Sequence, residues 1–160
     1  MRKSHGVVLA AAAVAALAVW LAPVSTAQTQ IQLTFAEGPV TRYVDVGRPD
    51  VSPGDQYLER HALSEAATGE EAGTIVTRFE VVTVHRGAEG DLSFIIDGTL
   101  RLAEGDIAFY GTDRYSNVFA TTGVTFPVIG GSGSFAGMAG TLHIVAAEPG
   151  VFMVTVDLSS

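Results

Sequence analysis

The chain has 160 residues, 48% of them hydrophobic, with nine lysines and arginines against seventeen acids and no cysteine. A net charge of −8 with no basic patch speaks against nucleic acid or anionic lipid as partners. Without disulfides, stability must come from packing and strand pairing.

Arg2 and Lys3 open the chain, and Val7 to Ala22 is a continuous apolar stretch that Pro23 breaks. Ser25-Thr26-Ala27 places small residues at the −3 and −1 positions of a cleavage site. The apolar run is about 16 residues, short of the roughly 20 that a spanning helix needs. The pattern predicts a signal peptide over 1–27 and a secreted, extracellular domain over 28–160, free of the membrane after cleavage. An uncleaved anchor is the competing reading. Removing the leader leaves seven arginines against the same seventeen acids.

Downstream, Val, Ile, Thr, Phe and Tyr recur in short runs punctuated by Gly, Asp-Gly or Pro, the habit of an antiparallel sandwich or barrel. Tyr43-Val44-Asp45-Val46 reads as the first barrel strand. In Gln56 to Leu63 one face carries Tyr57, Glu59, His61 and Leu63, the other Gln56, Leu58, Arg60 and Ala62. Both faces are mixed, so periodicity alone does not choose between them. Ala62 to Ala67 is the one candidate helix, and it is short. Over Thr74 to His85, Ile75, Thr77, Phe79 and Val81 form the inward set, with Arg78 and Glu80 as an outward surface pair. Over Leu92 to Leu102 the inward set is Leu92, Phe94, Ile96, Leu100 and Leu102. Asp97-Gly98 marks a bend or a bulge within one long strand, and Arg86 to Asp91 and Glu104-Gly105-Asp106 mark turns. Tyr110, Asp113, Arg114 and Tyr115 cluster at a strand end, where they read either as a mouth for a phenolic or carboxylate ligand or as turn chemistry with a surface ion pair. His85 and His143 stand alone at strand ends or on the surface. Val151 to Leu158 is the last strand, opened by Glu148-Pro149-Gly150.

The stretch from Gly130 to Gly140 contains Gly130, Gly131, Gly133, Gly137 and Gly140 between two strand-like runs. A phosphate loop would need Lys and then Ser or Thr after its last glycine, and Met138 follows Gly137. Gly131 to Ala136 fits a dinucleotide fingerprint in spelling, but no helix opens there; a β-branched run follows. What remains is a structural bend between two strands. No His-x-His or carboxylate spacing suggests a metal, and no cofactor is implied.

The segment Gly130-Gly131-Ser132-Gly133-Ser134-Phe135-Ala136-Gly137-Met138-Ala139-Gly140 resembles the glycine signature of the allene oxide cyclase and dirigent superfamily. Gly54-Asp55 with Tyr57-Leu58, Ala72 to Thr77 and Gly105 to Gly111 resemble its strand openings in order and spacing. The resemblance implies an all-β fold: an antiparallel eight-stranded β-barrel. It places His61 at a lumen position that orders a water in the cyclases, with Tyr57 and Glu59 on the same face, and Phe79 at a lumen cysteine position. Phe94 and Tyr110 join Tyr57 and Phe79 as candidate ligand contacts. The cyclases carry a catalytic glutamate in the first strand; an ungapped match puts Val44 there and Asp45 one residue away. Glu59, His61 and Asp45 are thus the candidate catalytic groups, and the glycines are structural. The resemblance also implies a homo-oligomer, a trimer or dimer.

The functions in play are a barrel holding a small apolar or phenolic molecule, in enzymatic form a cofactor-free cyclase or isomerase; a non-catalytic secreted carrier; and an oligomeric structural or interaction protein. A lipocalin is disfavoured, because the one tryptophan, Trp20, lies in the leader.

Overall fold

The computed structural model describes residues 28–85 and 91–160. The leader over 1–27, and all but the last residue of the Arg86 to Asp91 turn, lie outside the described residues. The strands are β1 (Gln28–Ala36), β2 (Arg42–Val44), β3 (Gln56–Glu65), β4 (Glu71–Val84), β5 (Leu92–Leu102), β6 (Gly105–Arg114), β7 (Val124–Gly131), β8 (Ala139–Glu148) and β9 (Val151–Ser159). A short helix, α1 (Tyr115–Val118), follows β6, and a 3-10 turn over Gly133–Phe135 joins β7 to β8. No described helix is long and apolar enough to cross a membrane.

Every strand pairing is antiparallel, in the order β1-β9-β8-β7-β6-β5-β4-β3-β2. A further pairing of Leu33 with Glu65 and Thr34 with Ser64 joins β1 to β3, which closes eight strands into a barrel and leaves β2 as a short addition on β3. Closure removes the free edges that an open sheet of these apolar strands would present.

Alternation carries the interior. Ile75, Thr77 and Val81 of β4 and Phe94, Ile96 and Leu100 of β5 are buried, and Arg78 and Arg101 are exposed. One end is packed solid: Leu63, Leu100, Ile107, Phe109, Leu142, Val154 and Val156 are all 0% exposed. Gly98 belongs to this packing. It lies opposite Phe109 in the register, and a Cβ on it would run into the Phe109 ring. Asp97-Gly98 is therefore neither a bend nor a bulge: β5 pairs without interruption there, and the glycine makes room for an aromatic ring.

The glycine-rich segment closes the same end. Ser132 donates its backbone N–H to Asp106 O at 2.9 Å, and Ser134 donates to Glu104 O at 2.9 Å. The Ser132 hydroxyl accepts from the Asp106 N–H at 3.0 Å. These bonds tie the 3-10 turn to the β5–β6 turn and seat Phe135, 6% exposed, against the core. Gly133 has φ +59°, and a Cβ there would meet Glu104 O.

Three expectations are corrected. The first barrel strand is β1, where Ile31, Leu33 and Phe35 alternate with Gln30, Gln32 and Thr34; Tyr43-Val44 sits in the appended β2. Ala62 to Ala67 is no helix: β3 continues to Glu65 and a turn follows, because the residues before it are already paired with β4. Arg78 pairs with Asp97 rather than Glu80, with its Nη2 2.6 Å from Asp97 Oδ1, because the two are directly opposed across β4 and β5.

Candidate functional site

The other end of the barrel holds a cavity of about 310 Å³. Its walls are Ile75, Phe79 and Val81 of β4, Leu92, Phe94 and Ile96 of β5, Val124 and Phe126 of β7, Ile144 of β8 and Phe152 of β9. Phe35 of β1 and Glu37, Gly38 and Val40 of the following loop form another side. Tyr115 and Phe119, partly exposed, stand with Val118 around α1 at the mouth. A largely apolar concavity with a few placed polar groups is the usual form of a small-molecule site.

The polar groups lie mainly on two strands. Tyr57, Glu59 and His61 project from one face of β3 into the cavity, so the face that periodicity left open is settled. His61 is 8% exposed, with Nε2 3.2 Å from Glu59 Oε2. Its ring lies 5.0 Å from Phe35 between centroids, and a Cβ on Gly38 would come within 3.3 Å of Nδ1. Glycine at that position lets the loop pass close over the imidazole. Thr77 of β4 lies directly opposite Glu59 in the register. Thr77 is 5% exposed, and its Oγ1 is buried without a hydrogen-bond partner among the described residues. Buried hydroxyls are ordinarily satisfied, so an orphan on a cavity wall suits a ligand atom.

An aromatic series runs from the mouth to this polar stripe. Tyr115 contacts Phe119 at 5.0 Å, Phe119 contacts Phe152 at 5.6 Å, and Phe152 stacks on Phe35 at 5.1 Å, next to His61. Burial pushes the Tyr115 phenol up, with the charges of Glu37 and Glu59 adding to it. Burial likewise raises Tyr57, helped by the charge of Asp55. Both phenols are therefore donors at neutral pH.

Asp45 and Tyr110 do not reach the cavity. Asp45 is exposed in the loop after β2, and the strand before it is an appendage and not a stave of the barrel. Tyr110 is 43% exposed on the outward face of β6, in alternation with the buried Phe109. Its neighbours do turn chemistry: Asp113 Oδ1 accepts from the Arg114 N–H at 2.7 Å and from Asn117 Nδ2 at 2.6 Å, and Arg114 lies 3.7 Å from Asp91. Tyr115 alone of that cluster lines the cavity. Tyr57, Phe79 and Phe94 line it as well. Among the described residues the imidazoles of His85 and His143 hydrogen-bond to hydroxyls of the neighbouring strands, those of Ser93 and Thr125. The glycines from Gly130 to Gly140 lie at the far end and touch no part of the cavity.

The acid in the first half of the chain that the protein does bury is Asp55, 0% exposed. It accepts from Tyr43 Oη at 2.9 Å, from the N–H of Val46 at 2.9 Å and from the N–H of Ser52 at 2.8 Å. Those backbone donors hold its carboxyl below the ordinary value, and the bond to Asp55 raises the Tyr43 phenol. This cluster pins the β2–β3 loop and lies outside the cavity.

Residues 28–154 match the allene oxide cyclase barrel like domain, and the chain belongs to that family. No curated protein matches it in sequence. Among solved structures it is similar to a pyocyanin demethylase, with a TM-score of 0.65 at 20% identity, covering 81% of this chain and 99% of the other. It is similar to the Diels-Alderase AbmU from Streptomyces koyangensis, with a TM-score of 0.63 at 18% identity over 86% and 70% of the two chains. A pterocarpan synthase dirigent protein gives a TM-score of 0.59 at 12% identity over 84% of each chain. At these identities the likeness establishes the fold.

Proposed function

We propose that the open end of the barrel binds one small, largely apolar or phenolic molecule and holds it in a reactive conformation away from water, as a cofactor-independent cyclase, isomerase or dirigent-type steering protein. The observation that carries this reading is the polar stripe of Glu59, His61 and the unpartnered Thr77 on the wall of an otherwise apolar cavity. A fixed apolar enclosure lowers a unimolecular barrier by selecting one conformer and excluding water. The Glu59 carboxylate, in hydrogen-bond reach of the His61 Nε2–H, takes a proton from a bound phenol or enol at a carboxylate oxygen and returns it elsewhere. Structural neighbours named as a demethylase, Diels-Alderases and a dirigent protein support a small-molecule reading of the scaffold.

The reading includes export and self-association. Export rests on Arg2, Lys3, the apolar run and Ser25-Thr26-Ala27, and N-terminal sequencing of secreted protein should begin at Gln28. A dimer or trimer rests on the family likeness, and light scattering would report it.

The test is binding of 2-naphthol, followed by its fluorescence, to the wild type and to Val124→Phe, which fills the cavity from β7. Saturable binding that Val124→Phe abolishes while the melting transition persists supports the site. Equal binding by both proteins would refute it. Bound 2-naphthol without turnover of any phenolic or polyene substrate would favour the carrier over the enzyme.

A further inference from the structure

The charge of the cavity narrows what it can hold. Two carboxylates, Glu37 and Glu59, line it, and no lysine or arginine does so among the described residues. Glu59 already lies against His61 with one oxygen, and a carboxylate has acceptor sites for further donors. Thr77, opposite Glu59 in the register, adds a hydroxyl that can donate or accept. The other strands that reach the wall, β1, β5, β7, β8 and β9, contribute apolar or aromatic side chains.

From this geometry we infer that the ligand is neutral or cationic, with an apolar body and an O–H or N–H group that donates to Glu59, and that the cavity excludes carboxylates. The inference rests on the reading of the cavity as a ligand site. A ligand carboxylate would lose its hydration beside two acids; with His61 already engaged by one of them, the donors left on the described walls are the neutral hydroxyls of Tyr57, Thr77 and Tyr115, and no lysine or arginine is there to offset the charge. An ammonium group would meet the opposite situation. It would gain the attraction of Glu59 and pass a wall lined by the aromatic rings of Phe119, Phe152 and Phe35, a setting that suits a cation. A neutral phenol would be served by Glu59 as acceptor and Thr77 as second partner.

Three probes with one apolar body separate these cases: 2-naphthol, 2-naphthylmethylammonium and 2-naphthoate, titrated into the full mature protein at neutral pH and constant ionic strength. The alcohol and the ammonium should bind at least about tenfold more tightly than the carboxylate, the margin expected when a charge-assisted hydrogen bond is exchanged for an unpaired buried charge. Glu59→Gln should shrink the preference for ammonium over carboxylate by about tenfold, whereas Glu71→Gln, an exposed acid at the start of β4, should leave it unchanged. Tighter or equal binding of 2-naphthoate to the wild type would overturn the inference while leaving the ligand site intact. Binding of none of the three would overturn the ligand-site reading, and the inference with it. The wild-type comparison stands even if Glu59→Gln proves unstable.

Discussion

Leu100 and Phe94 stand on the same inward face of β5, yet one is enclosed at the packed end of the barrel and the other lines the cavity. The strands are common to both ends; what differs is the segment that crosses each opening. At the closed end the 3-10 turn is hydrogen-bonded to the β5–β6 turn and drives Phe135 into the core. At the open end α1 is a single turn with no buried residue, and Tyr115 and Phe119 stay partly exposed. A barrel of this kind separates its tasks along its axis: one end holds the fold, and the other is left free for chemistry.

Breaking the closed end should therefore reduce stability and spare the cavity. Leu100→Ala removes a fully enclosed side chain and should lower unfolding free energy by about 2–5 kcal/mol in denaturant titrations. Its 2-naphthol affinity, measured where the variant remains folded, should stay within about twofold of wild type. Gly133→Val comes next. It forces a β-branched residue to φ +59° against Glu104 O, at a cost on the order of 1–3 kcal/mol or more. Gly137→Val should lose less, because at φ +77° its Cβ meets no atom within 4 Å and strain is the main term. Equal losses at the two glycines would show that steric contact with the β5–β6 turn does not hold the closure.

Acid should act through Asp55. Its carboxyl titrates below the ordinary 3.8 in the folded chain, so the folded state binds that proton less readily than the unfolded one. The stability it contributes is present above about pH 4 and is lost as pH falls through the lower folded value. Asp55→Asn should be less stable at neutral pH and show a shallower fall in melting temperature between pH 5 and pH 2, which are about the limits of the carboxylate range.

At the open end the signs reverse. Glu59→Gln and His61→Ala should leave the melting temperature nearly unchanged, and ligand binding or turnover should fall about tenfold or more. Arg78→Ala, which breaks an exposed pair with Asp97 on the outer surface, should change stability by less than about 1 kcal/mol and binding not at all.

Much of this division was legible in the sequence, and the exceptions have physical causes. The inward sets of β4 and β5 followed from strict alternation, and the glycine run read as a bend because nothing after it could be a helix. The Glu59–His61 face was not decided by periodicity, since both faces of β3 mix polar and apolar residues; resemblance chose it, and the cavity agrees. Asp45 was misplaced because Tyr43-Val44 has strand character but only three residues to pair. The real first strand was written in the alternation of Ile31, Leu33 and Phe35, a signal that went unread. Tyr110 was chosen as the ligand contact and Tyr115 was not, because a strand end followed by one helical turn changes which side chains face inward. Asp55 as a buried hub could not be read, because its donors are backbone groups of Val46 and Ser52, which carry no side-chain signature.

The measurement that bears most directly on the division is calorimetric titration of 2-naphthol into the wild type and Thr77→Val, paired with a thermal melt of each. Thr77 Oγ1 is buried on the cavity wall with no partner among the described residues, so removing it should leave the melting temperature equal or higher. If a ligand atom is its partner, affinity should fall about fivefold to tenfold, as for one lost hydrogen bond. A destabilised Thr77→Val with unchanged affinity would contradict the account, because the hydroxyl would then serve the fold and not the cavity.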